Sequence, residues 1–106
     1  MTVDALSAQG GFLGGIIVPG FELMHEALAA NTARLSAERG SFHAFPSNTR
    51  DAITSGAIQA LCGAVERMRA EMIAAGHREP MLLFAGGAAE FVAHRLALPQ
   101  RTVHKL

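Results

Sequence analysis

Residues 48–76, NTRDAITSGAIQALCGAVERMRAEMIAAG, constrain the fold more than any other stretch of the chain. Ile53, Ala57, Leu61, Val65, Met68 and Met72 recur at spacings of three or four, the period of one helix face. Asn48 is a good N-cap, Asp51 stands three residues later in a variant of the capping box, and Gly76 ends the pattern. Gly56 and Gly63 lie inside the expected helix and each costs about 1 kcal/mol relative to Ala. Close packing against another helix would offset that cost, and Ala57, Ala60 and Ala64 lie nearby on the chain. Glu66, Arg67, Arg69 and Glu71 read as its solvated face.

The flanking segments supply the partners. MTVDALSAQGGFLGGIIVPG reads as a hairpin: a strand over residues 1–6, turn residues 7–11, a second strand over 12–18, and a stop at Pro19-Gly20. From Phe21 the pattern turns helical, with Leu23, Met24, Ala27 and Leu28 on one stripe, fading near residues 31–35. Residues 36–47 form a loop. Met81 to Ala85 form a short buried strand, Gly86-Gly87 turn the chain, and residues 88–96 form a helix with Phe91, Val92 and Leu96 inward. Residues 101–106 begin a last strand. The order β-β-α-α-β-α-β is a mixed α/β layout, a mixed sheet with flanking helices.

Composition narrows the function. The chain has 106 residues, enough for one small domain, and nine basic residues balance nine acidic ones. A neutral chain without Trp or Tyr offers neither a basic face nor a broad stacking platform for nucleic acid. Cys62 stands alone in an apolar run, which favours a buried, inert thiol and a reducing, cytoplasmic setting. No secretory signal is visible at the start, and no apolar stretch approaches the ~20 residues of a membrane span. His25, His43, His77, His94 and His104 stand far apart with no partner at metal-ligand spacing, so no metal site is expected. G-x-G-x-x-G, G-x-x-x-x-G-K-[ST] and G-x-S-x-G are all absent.

Four places could carry chemistry, each beside a plainer reading. In GGFLGGIIVPG, five of eleven residues are glycine. Either a neighbouring element crosses closely, or a ligand or second chain approaches the bare backbone. In FAGGAAEF, a buried strand runs through Gly86 and Gly87 into a helix; this is a tight turn or a place where a flat ring or phosphate lies. In SNTRD, Thr49 opens the long helix at the positive end of its dipole, where an anion would be stabilised, or capping by Asn48 and Asp51 is the whole story. Asp4 is an acid in an otherwise apolar strand start; it holds a phosphate-linked metal or water, or it caps a turn.

TVDAL, GGFLGGIIVPG, FELMHEAL, NTRDAITSG and FAGGAAEF, in that order, resemble the C-terminal half of type III pantothenate kinases. The resemblance runs from Thr2 to about Leu106. It implies an actin-like (ribonuclease H-like) kinase domain over residues 1–106, cut at both ends, with ATP in a cleft between two such domains. It implies ATP-dependent phosphorylation of pantothenate, the first step towards coenzyme A, with Mg2+ and a monovalent cation such as K+. It also implies a homodimer, for which the small-residue face of the 48–75 helix is the expected contact. Under the resemblance, Asp4 matches the acid closing the second phosphate segment. Gly86 and Gly87 match the adenosine-side glycines, and Thr49 a threonine that reaches pantothenate. The Gly-rich stretch matches a segment beside the substrate.

The departures are equally specific. The family's N-terminal Asp-x-Gly-Asn-Thr loop, its Gly-x-Asp-Arg segment with the general base, the Asp-x-Gly-Thr-Ala run before Thr2 and the Leu-Val-Leu-x-Gly-Leu ending are not in this chain. No catalytic residue is therefore expected within it, and the 106 residues alone are expected to be inactive. Two other readings stay open: a dimerisation module that kept the helix and lost the chemistry, and an unrelated small-ligand α/β domain.

Overall fold

The computed structural model describes residues 1–30, 38–98 and, for the backbone, 103–105. The elements are β1 (Thr2–Leu6), β2 (Phe12–Ile17), α1 (Phe21–Ala30), α2 (Thr49–Ala74), β3 (Met81–Ala85), α3 (Ala89–Arg95) and β4 (Val103–Lys105). The expected order is borne out. The expected fading of α1 over residues 31–35, and positions 101, 102 and 106 of the last strand, lie outside the described residues.

The four strands form one mixed sheet in the order β2-β1-β3-β4. β1 runs antiparallel to both β2 and β3, and β3 pairs in parallel with β4. A parallel pair needs a crossover, and α3 lies on that connection. The β1-β2 turn is closed by Ser7 N–H to Gly11 C=O (2.7 Å) and by Gly11 N–H to the Ser7 hydroxyl (2.9 Å). Gly10 sits at φ +86° there, a left-handed conformation that favours glycine.

One face of the sheet is covered. Val3 and Ala5 pair with Ile16 and Gly14 on one side and with Phe84 and Leu82 on the other. These positions face α2, whose Ile58, Leu61, Cys62, Val65 and Met72 complete the core with Ala89 and Val92 of α3. α2 keeps the expected stripe, with Met68 partly buried at its edge. Asn48 caps it: its Oδ1 accepts the Asp51 N–H at 2.9 Å. Gly76, at φ +98°, stands just past its C-cap, Ala75. Cys62 is buried as expected, and that burial pushes its thiol pKa up, which keeps it protonated and unreactive.

Two expected faces are corrected. α1 turns Phe21, Met24 and His25 inward, while Leu23 and Leu28 are 60% and 51% exposed. Phe21 stacks on His25 one turn away, so the ring pair sets the buried face of this short helix. Phe91 is 51% exposed rather than inward, and Ala89 and Val92 are the buried residues of α3.

Within the Gly-rich stretch, Gly15 matches the plainer expectation of a closely crossing neighbour, whereas Gly14 faces open space. A Cβ on Gly15 would collide with the Asp4 carboxylate and come within 2.8 Å of the Val3 carbonyl oxygen. The close neighbour is β1 itself, in the same sheet. Among the described residues, no helix is long and apolar enough to cross a membrane.

Candidate functional site

A cleft of about 680 Å³ opens between the start of α1, residues 39–42, α2 and the start of α3. That volume is in the range of small-molecule sites. Its floor is the apolar flank of α2, through Ile58 and Leu61, with Val92 of α3. Its walls carry three aromatic rings, Phe21, Phe42 and Phe91, and its lip is formed by Gly20 and Gly87.

Each wall is positioned by its element. Phe21 opens α1 directly after the Pro19-Gly20 stop of β2, so the end of the hairpin aims it into the cleft. The Arg39 guanidinium lies 5.0 Å from the Phe21 ring centre and pairs with Glu22. Arg95, in the last turn of α3, lies 3.7 Å from the centre of Phe42 and 6.0 Å from that of Phe91. These cation–π contacts hold the rings at fixed positions. An apolar slot with ring walls and the Arg39–Glu22 ion pair on its lining suits a flat ring carrying a polar tail.

The expected site residues are only partly brought together. Gly87 lines the cleft; it is exposed, and a side chain there would meet open space. Gly86 stands just outside, at the exit of β3, with φ +133° and the Met1 Cα 3.1 Å from where its Cβ would be. Its carbonyl accepts the Ala89 N–H at 3.0 Å, which closes the turn into α3. Asp4 is half-buried on the other face of the sheet, across from Gly15 and Leu83. Thr49 is exposed at the first position of α2, beside the capping residues, and is not among the cleft walls.

Reading along the sequence missed Phe42, Arg39 and Arg95. Phe42 and Arg39 sit in a stretch read as plain loop, and Arg95 looks like an ordinary last-turn cation. Alternating aromatic and basic residues in the loop was the available signal. Asp51 is more than a cap: the Ser41 N–H above all, then the Asn48 amide, hold its carboxyl below the ordinary value of 3.8.

The comparisons agree on the family. The family model for type III pantothenate kinase matches residues 1–71. The type III pantothenate kinase of Verminephrobacter eiseniae is 43% identical over 106 residues, covering all of this chain and 41% of the relative. That of Thiobacillus denitrificans is 46% identical over the same length, covering 43% of the relative, and that of Nitrosomonas eutropha is 44% identical over 109 residues. The chain thus spans about two fifths of the length of the curated relatives it matches. With the family model over most of its residues, this chain belongs to the type III pantothenate kinase family.

Proposed function

We propose that this chain is the adenosine-side portion of a cytoplasmic, ATP-dependent pantothenate kinase built on an actin-like domain. The observation that carries the reading is the cleft itself: Gly87, which the resemblance assigns to the adenosine side, forms its lip. The adenine ring would lie between the Phe rings, with the bare Gly87 backbone allowing close approach. Arg39, at the margin, would face the more polar part of the nucleotide. Gly86 would act through the turn it shapes, and Asp4 and Thr49 are proposed for phosphate and pantothenate through surfaces outside this cleft.

Mg2+ and a monovalent cation are proposed as companions of the ATP phosphates. Among the described residues, no three His, Cys, Asp or Glu side chains converge to hold a metal ion. The general base and the first phosphate loop are not in this sequence, so these residues can bind and orient a nucleotide but cannot take the proton from the pantothenate hydroxyl. Accordingly, a coupled assay on the purified chain with MgATP and pantothenate is expected to show no pantothenate-dependent ADP. Measurable turnover would refute the division of labour proposed here.

A homodimer through α2 belongs to the same proposal. Gly56, Ala60 and Gly63 are exposed on its outer face, and a Cβ on either glycine would meet open space. The two states respond with opposite sign to Gly63→Leu. In a monomer the change removes a helix-interior glycine and stabilises the chain by roughly 1 kcal/mol. In a dimer it separates the helices. We expect light scattering to show dimer for the parent chain and monomer for Gly63→Leu. A parent monomer whose thermal midpoint rises on substitution would contradict the dimer.

A further inference from the structure

Residues 38–43, ERGSFH, have no regular secondary structure, yet each of the six is tied to a helix. Glu38 pairs with Arg50 of α2 at 3.4 Å, and Arg39 pairs with Glu22 of α1. The Gly40 N–H donates to the Thr54 hydroxyl at 2.8 Å, and the Ser41 N–H to Asp51 Oδ1 at 2.8 Å. Phe42 lies under the Arg95 guanidinium of α3, and the His43 N–H donates to the Ser55 hydroxyl at 3.0 Å. Three consecutive side chains or near neighbours on one face of α2, Asp51, Thr54 and Ser55, thus accept the backbone donors that an irregular segment must satisfy somewhere.

This explains an oddity of α2. Thr54 and Ser55 are 5% and 2% exposed, polar residues on a helix flank that otherwise faces the core. Buried hydroxyls are costly without partners, and here the segment supplies them. Gly40 shows how close the contact is: a Cβ there would lie 2.7 Å from the carbonyl carbon and oxygen of Arg50. Only a residue without a side chain fits against the helix backbone.

We propose that residues 38–43 act as one strap that forms a wall of the cleft, and that Asp51 is the positioning residue that holds it. Asp51 serves both ends. Its Oδ1 accepts from the strap at Ser41, and its Oδ2 accepts from the Asn48 amide at 2.8 Å, next to Thr49. The carboxylate therefore joins the cleft wall to the capped start of α2. Because Arg39 and Phe42 project from the strap into the cleft lining, strap position sets the width of the slot. The consequence for nucleotide affinity rests on the cleft being the adenosine site; the strap's behaviour as a unit does not.

The test is amide hydrogen exchange by NMR on the 106-residue chain, paired with ATP titration. Asp51→Ala removes the acceptor, and Gly40→Ala keeps the carboxylate but pushes the strap off it, since the added Cβ meets Asp51 Oδ1 as well as the Arg50 carbonyl. Both are expected to speed exchange at Gly40, Ser41 and His43 together by about tenfold, with β1 and β3 amides unchanged, as for one local opening unit. Asp51→Asn, which keeps an acceptor oxygen, is expected to restore most of the protection. ATP affinity is expected to fall about tenfold in the two alanine variants, the scale of one charge-assisted hydrogen bond. Acceleration confined to Ser41 in Asp51→Ala would overturn the strap. Joint acceleration with ATP affinity within about twofold of the parent would overturn its control of the cleft, at the fold equivalent of a few tenths of a kcal/mol. If the parent chain binds no ATP, the nucleotide assignment fails, and exchange alone decides the strap.

Discussion

Phe84→Ala is expected to cost about 3–5 kcal/mol of folding free energy, the largest loss from a single truncation among the described residues. Among the described residues, Phe84 is the largest fully buried side chain. It stands on β3 between β1 and β4, paired with Val3 on one side and Lys105 on the other. Its ring is part of the layer between the sheet and α2, so its removal leaves a cavity that rigid neighbours cannot close. Domains of this size hold about 5–15 kcal/mol in all, so the variant loses a large share of its stability. Urea denaturation followed by circular dichroism measures it. Leu83→Ala is the internal control, because Leu83 is only partly buried and faces away from α2. The control is expected to lose about 1 kcal/mol, in line with half-burial of one aliphatic side chain. Equal losses at the two positions would mean that the sheet buries its other face.

Gly87→Leu is expected to weaken ATP binding by well over tenfold, on the order of 1.4 kcal/mol or more, while leaving the fold intact. The two halves of that statement come from one fact. A Cβ at Gly87 meets no atom within 4 Å, and its backbone is not in the left-handed region, so the free chain accommodates a side chain. The same open space is the lip of the cleft, which a leucine would fill. Gly86→Leu makes the contrast: at φ +133°, with Met1 3.1 Å from the Cβ position, it strains the turn itself. Calorimetric titration and a thermal melt on both variants separate the effects. The expected pattern is lost binding with an unchanged melt at 87, and a lowered melt at 86. Unchanged ATP affinity in a folded Gly87→Leu chain would remove the adenosine from this cleft.

The elements were legible where one signal dominated. α2 carries its own cap, stripe and stop within residues 48–76, and the hairpin and β3 are set off by Gly and Pro on either side, so their limits needed no tertiary information. α1 was harder because its buried face includes His25; Leu23 and Leu28 looked as inward as Met24, and only the Phe21–His25 stack and the position of α2 chose the face. Phe91 looked like core because it neighbours Val92, yet it points about 100° away from Val92, and on this short helix the inward arc is filled by Ala89 and Val92. The glycines of residues 10–20 left two readings open, a closely crossing neighbour or an approaching ligand or chain; at Gly15 the nearest atoms belong to β1, its own sheet neighbour.

The cleft was half legible for a related reason. Gly87 announced itself through a strand-Gly-Gly-helix pattern that is local in sequence. Its opposite wall depends on bonds from Gly40, Ser41 and His43 to side chains ten or more residues away, on a different element. No periodicity or turn rule encodes such pairings. Their only trace is the presence of Thr54 and Ser55 on a flank of α2 where aliphatic residues would otherwise serve.

Titration of the 15N-labelled chain with MgATP, followed residue by residue through the backbone amide shifts, tests whether the nucleotide occupies this cleft. Saturable shifts are expected at Gly87 and Phe91, at Phe21 of α1, and at Arg39, Gly40 and Phe42, all of which border the cleft. Saturable shifts confined to other surfaces, or none as ATP is raised, would contradict the assignment of this cleft to the nucleotide.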